Sequence, residues 1–208
     1  MDRKTVHLCA GMLAAALLWF YMFSPWTSGL SGFWLNMSIS AVILGAIAIS
    51  GSGGFRMDWG RVARQLPLGL VIAFALWGIF LIGDKLSSIM FDFARGQVDS
   101  IYTLKEGSSP VLVSLLLLLL IGPVEEYFWR GYVQKGLSER MGATAAMLVT
   151  AAVYTLVHVW SFNFMLVAAA FVAGGVWGLI YRLRPSLLPA LVVSHAVWDA
   201  LVFVILPI

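Results

Sequence analysis

Seven stretches of this chain, at about residues 6–23, 33–50, 66–83, 110–129, 142–161, 162–181 and 186–206, are each long and apolar enough to cross a bilayer. A helical span needs roughly 17–25 mostly apolar residues. In lipid, every backbone N–H and C=O must be satisfied within the protein, so such stretches fold as helices. The expected class is therefore an all-α integral membrane protein of about seven transmembrane helices, forming one membrane domain over 1–208. Composition agrees: 61% of residues are hydrophobic and 11% are charged, against about 45–50% and about 25% in soluble domains. The one cysteine, Cys9, rules out an internal disulfide framework. The net charge of +3 comes without a basic stripe, so the expected partner is the lipid bilayer and not nucleic acid.

Arg3 and Lys4 precede the first apolar run as they would in a signal peptide, but no small-residue cleavage site follows and further spans come directly after. It reads as a retained helix. Orientation follows from the cations. With the N-terminus inside, Arg3, Lys4, Arg56, Arg61, Arg64, Arg130, Lys135, Arg140, Arg182 and Arg184 fall inside, and only Lys85, Arg95 and Lys105 outside. The C-terminus is then outside. Residues 84–109 form the one long connection, where Leu86, Ile89, Met90 and Phe93 recur at helical spacing among charges. That pattern predicts an interfacial helix or an extension of the third span.

Ionisable groups near the bilayer centre cost at least about 2.5–3.5 kcal/mol each and mark function by default. Here they gather in three spans: Glu125, Glu126 and Arg130 in the fourth, His158 in the fifth, His195 and Asp199 in the seventh. Glu126 and Arg130 are spaced i,i+4 and can pair, which lowers the cost of burying both. His195 and Asp199 share a face by the same spacing. Glu125 points about 100° away from Glu126, so one carboxylate can face a cavity while the other meets Arg130. If the fourth helix continues to about residue 140 and turns at Met141–Gly142, Glu125 and His158 each lie about 24 Å from the turn and stand level. His195, roughly 15 Å deep from the same side, can join them, with Asp199 about 6 Å further on.

Two carboxylates and two histidines in a dry pocket can activate water, with a carboxylate as general base and an imidazole sharing the water. His195 with its i+4 partner could stabilise an oxyanion. The same groups could hold a divalent metal such as zinc, through Glu125, His158 and His195. Taken singly, each feature has a plain structural reading: a Glu–Arg pair that ties helices together, a hydrogen-bonded packing histidine, an intrahelical His–Asp pair or part of a proton path. Their coincidence points to chemistry. Ala170, Gly174 and Gly178 form a small-residue packing face, and Pro123, Pro185 and Pro189 can kink helices near the polar residues.

The residues Glu125-Glu126-Tyr-Phe-Trp-Arg130, Tyr154-Thr-Leu-Val-His158 and His195-Ala-Val-Trp-Asp199, in that order on the fourth, fifth and last spans, resemble the CAAX-protease and bacteriocin-processing (CPBP or Abi, Rce1-like) intramembrane endopeptidases. The resemblance covers roughly 108–206, with 1–107 as generic leading spans. It implies that Glu125 and His158 activate the hydrolytic water, that His195 and Asp199 stabilise the oxyanion, and that Glu126, Arg130 and Tyr154 shape the site. Tyr154 stands where Phe is usual. Asp199 stands where prenyl-protein proteases resemble one another in having Asn, so an oxyanion role requires a protonated Asp or another arrangement. The family is described both as glutamate-type and as metal-dependent, and the sequence leaves both open, zinc included.

Other protease signatures fit worse. The chain has no HExxH and no GxGD, and Ser194 cannot form a dyad with its neighbour His195, because adjacent side chains on a helix diverge. The expected partner is a protein or peptide with a membrane-embedded or lipidated C-terminal tail, in a bacterial or archaeal cell membrane. The compact size and a pocket in the outer half favour members that trim C-terminal sorting tails. A non-enzymatic immunity or scaffold protein is the alternative. A proton-coupled transporter fits less well, because all the deep polar residues follow residue 120 and no inverted repeat is present. The charge count makes one immediate prediction: reporter fusions at the C-terminus will report an extracytoplasmic location, and a cytoplasmic signal would overturn the orientation.

Overall fold

Short polar residues set where the helices begin. The side chains of Asp2, Asp58, Ser109 and Asn163 accept hydrogen bonds from the backbone N–H groups of Thr5, Arg61, Leu112 and Leu166, satisfying donors that an N-terminal turn leaves free. The computed structural model describes residues 2–54 and 58–208, and among these every regular element is helical. The elements are α1 (Arg3–Phe23), α2 (Phe33–Ser52), α3 (Trp59–Met90), α4 (Ala94–Tyr102), α5 (Pro110–Met141), α6 (Ala143–Ser161), α7 (Phe164–Leu183) and α8 (Pro185–Ile205). All but α4 are long and apolar enough to cross a membrane.

The number of spans matches the sequence expectation, but the ends differ. The third span runs over 59–90 instead of 66–83, and the fourth reaches Met141 instead of 129. Apolarity marks where a helix can sit in lipid, whereas caps decide where it stops, and these helices carry charged turns beyond their apolar cores. Gly142, at φ +81°, makes the tight break between α5 and α6 that the depth estimate required. The 84–109 connection is both things the pattern allowed. Its first residues extend α3 to Met90, and Ala94–Tyr102 forms the separate short helix α4. Gln97 of α4 holds the start of α7, accepting from Met165 N–H at its side chain and from Asn163 Nδ2 at its carbonyl.

The most buried helix is α8: 61% of its apolar window is buried, against 17% for α3. Helix α8 packs mainly against α3 and α5, with a lighter contact to α7. Helix α3 leans on α8 by close backbone approach. A Cβ on Gly69 would stand 2.7 Å from Val193 Cβ and 2.8 Å from the Ala190 carbonyl oxygen. One turn earlier, Gln65 donates to the Ser186 carbonyl and accepts from Ala190 N–H, locking the two helices in register. At the end of the bundle near the N-terminus, His7 bonds both Tyr132 and Ser50, joining α1, α2 and α5. Large apolar side chains such as Leu13, Leu17, Val71 and Leu119 face outward, as they do on a surface solvated by lipid.

Arg130 is fully buried and paired inside the bundle, so it is no loop charge and leaves nine of the ten inner cations. Arg56 lies outside the described residues. The α3–α8 contact generates a stability prediction. Gly69→Ala will lower the thermal midpoint of the detergent-solubilised protein, at a cost of about 1–3 kcal/mol for overpacking. Gly78→Ala, where a Cβ meets nothing within 4 Å, will leave the midpoint unchanged or raised.

Candidate active site

The paired glutamates sit on a short α-helical stretch of α5, Gly122–Glu126, between two wider π-helical stretches at Leu117–Ile121 and Tyr127–Gln134. Pro123 lies in this stretch and contributes no backbone N–H, which disturbs the regular ladder. A third π-helical stretch, Leu201–Ile205, begins just after Asp199 on α8. Such local widenings recur at functional sites because they re-aim side chains. Helices α5 and α8 meet backbone to backbone: a Cβ on Gly122 would stand 2.6 Å from Ala196 Cα and 2.8 Å from Ala196 N. That approach brings Glu126 within bonding reach of His195.

Glu126 is fully buried and its Oε2 has two partners. Arg130 Nη1 donates to it at 3.2 Å, and His195 Nδ1 lies 3.0 Å away. Arg130, also fully buried, donates Nη2 to the Gly174 carbonyl at 2.8 Å. Its guanidinium lies between the rings of Tyr154 and Trp177, at 5.2 and 5.6 Å from their centroids. A Cβ on Gly174 would come 2.7 Å from the Tyr154 ring. The small residue therefore makes room for Tyr154 next to the carbonyl that Arg130 uses. The next small residue, Gly178, offers its carbonyl to Gln134 Nε2 at 2.9 Å. Trp177 stacks on His195 at 4.0 Å and donates its indole N–H to Ser194 Oγ. Ser194 is thus engaged away from its neighbour, consistent with the exclusion of a Ser–His dyad.

Glu125 points elsewhere, as the 100° offset requires. It is buried at 4% exposure and its carboxylate makes no hydrogen bond among the described residues. It lines a cavity of about 100 Å³ together with Tyr154, His158, His195 and Asp199. Glu126 and Arg130 lie behind the wall of that cavity. The structure therefore brings the cavity-facing candidates to one place and separates them from the ion pair that supports them. Asp199 Oδ2 lies 3.6 Å from His195 Nε2, close but beyond a hydrogen bond. Because the His195 Nδ1 side is held by Glu126, its Nε2 is the nitrogen left for the cavity.

His158 stands at the end of the α-helical part of α6, where its carbonyl accepts from Ser161 Oγ. Its Nδ1 lies 2.7 Å from the Tyr154 carbonyl, and its Nε2 lies 3.1 Å from Trp19 Nε1. Both ring nitrogens are therefore bonded within the protein, and neither is open to a water in this arrangement. Sequence reasoning did not single out Trp19, Trp177 or Gly122. Trp19 lies 139 positions from His158, and no local spacing marks it among nine tryptophans. Trp177 is adjacent to the Gly174/Gly178 face, which read only as packing.

The arrangement also bears on the metal considered above. Among the described residues no three His, Cys, Asp or Glu side chains are grouped as a metal centre requires. In addition, the lone pair of His158 Nε2 already accepts the Trp19 N–H. Glu125, His158 and His195 as they stand do not form a ligand set. The ion pair behind the cavity makes its own prediction. Arg130→Met will destabilise the protein by about 3–5 kcal/mol, because it strands the buried Glu126 charge, and thermal unfolding in detergent will register the loss. The double variant Arg130→Met/Glu126→Gln will recover part of it.

Residues 107–201 match the family model described as type II CAAX prenyl endopeptidase Rce1-like. No curated protein and no solved structure matched the chain. The matched segment contains all three motifs and runs from α5 into α8, the helices that carry the polar lining of the cavity, while α1 and α2 precede it and add Phe23, Phe33, Trp34 and Met37 to that lining. With the fold and this match together, the chain is an all-helical integral membrane protein whose residues 107–201, just under half of its 208, are similar to the Rce1-like CAAX endopeptidases.

Proposed function

We propose that this chain is an intramembrane endopeptidase in which Glu125 is the general base. The observation that carries this reading is a buried carboxylate with no hydrogen-bond partner among the described residues, facing a small cavity shared with His158, His195 and Asp199. A buried carboxylate without a hydrogen-bond partner is a costly arrangement, and it is retained where its proton affinity is used. A water in the cavity would lose a proton to Glu125 as its oxygen attacks the scissile carbonyl carbon. The oxyanion then forms on the side of His195 and Asp199, where a protonated Asp199 carboxyl supplies the donor. Collapse of the intermediate breaks the C–N bond, and the proton on Glu125 passes to the leaving amine. Glu126 and Arg130 do not touch the substrate; they fix the orientation of His195 from behind, as a carboxylate orients the imidazole in other hydrolases.

The proposed substrate is a protein whose C-terminal tail is membrane-embedded or lipidated, cleaved near the outer face. Support comes from a second, larger cavity of about 330 Å³. Its lining is almost wholly apolar, and it shares Leu166, Ala169, Trp198 and Phe203 with the cavity that Glu125 faces. An apolar space of this size beside a hydrolytic site suits an apolar segment or lipid carried by the substrate.

The test is a comparison of membrane and surface proteins by mass spectrometry in a deletion strain complemented with wild type or with Glu125→Gln at matched expression. Unprocessed tails are expected to accumulate in the deletion strain and in the Glu125→Gln strain alike, with turnover down by at least about 10²-fold. Restoration of the wild-type profile by Glu125→Gln would remove Glu125 from catalysis and put the scaffold or immunity alternative first.

A further inference from the structure

Trp19 lies on α1, outside the matched segment, and it is almost fully buried at 1% exposure. Its indole Nε1 is 3.1 Å from His158 Nε2, with the two rings edge to face at 5.9 Å. An indole N–H only donates, so His158 Nε2 must accept and carry no proton. On the other side of the ring, the Tyr154 carbonyl only accepts, so the Nδ1 at 2.7 Å must carry the proton and donate it. Two partners of fixed polarity thus define one neutral tautomer and one ring orientation. Phe23 and Tyr154 flank the same imidazole, with centroids at 5.9 and 5.0 Å. His158 lines the cavity that Glu125 faces, whereas Trp19 stands behind it.

Resting on the protease reading above, we infer that Trp19 is a positioning residue of the active site. It holds His158 in the Nδ1–H tautomer and occupies its acceptor nitrogen, so that the proton of the attacking water goes to Glu125 and not to the imidazole. The leading spans are then part of the catalytic apparatus: α1 sets the protonation pattern of a residue on α6. Trp19 has no contact with the reacting atoms and acts only through His158.

The chain has three histidines, so ¹⁵N-histidine labelling of the whole protein in nanodiscs gives a spectrum simple enough to assign. In wild type, the His158 signals must show a protonated Nδ1 and an unprotonated, hydrogen-bonded Nε2. The opposite tautomer overturns the inference without recourse to any variant. Trp19→Phe keeps an aromatic ring and removes the donor. It is expected to shift the His158 Nε2 resonance and to mix the tautomers, while the His7 signals, tied to Tyr132 and Ser50, stay in place as the check on folding.

Turnover is followed on the protein that accumulates in the deletion strain. There, Trp19→Phe should lower kcat by about tenfold or more with KM little changed, and it should have no further effect in a His158→Ala background. An unchanged His158 spectrum in Trp19→Phe, an unchanged kcat, or an equal loss in the His158→Ala background each overturns the role. If Glu125→Gln processes normally, the protease reading fails, while the spectra still decide the Trp19–His158 link, so the two failures are told apart.

Discussion

A single buried carboxylate oxygen, Glu126 Oε2, joins three helices of this protein. It receives Arg130 from the next turn of α5 and faces His195 Nδ1 on α8, and Arg130 in turn reaches the Gly174 carbonyl on α7. A charge in the bilayer interior is tolerable only when paired and hydrogen-bonded. The surrounding structure meets that requirement in several ways. Gly122 lets α5 and α8 touch, Gly174 leaves room for the Tyr154 ring, and Tyr154 and Trp177 lie against the guanidinium.

The same interaction separates the bonded carboxylate from the one that faces the cavity. Because successive side chains on a helix diverge by about 100°, anchoring Glu126 in the packed interior turns Glu125 toward the cavity. The consequence is an arrangement in which neighbouring residues of one type have opposite fates: one carboxylate is bonded and closed off, the other unbonded and facing a space large enough for a few waters. His195 belongs to both regions, held at Nδ1 by the ion pair and offering Nε2 to the cavity. Stability of the ion pair and orientation of the site are therefore coupled, since removing Arg130 disturbs His195 through Glu126.

Much of this was legible in the sequence for a physical reason. Lipid imposes helices on long apolar stretches, and helical spacing of 3.6 residues per turn fixes which residues on one helix share a face. From those two constraints follow the seven spans, the Glu126–Arg130 pair, the divergence of Glu125 and the shared face of His195 and Asp199. The level placement of Glu125 and His158 needed only the turn at Gly142. Helix ends were less legible, as the 32-residue α3 shows, because caps and polar turns outside the apolar window decide them.

Apolarity and helical spacing thus specify the class of the fold, the polar residues within it and their pairing along each helix. The tertiary structure alone decided which partners they meet across helices: Trp19 on His158, Trp177 on His195, the Gly174 carbonyl on Arg130. Those contacts join residues 139, 18 and 44 positions apart, set by how helices pack and rotate against each other. Local periodicity extends only three or four residues. It can say that His158 faces inward, but not that an indole from the first helix holds its acceptor nitrogen.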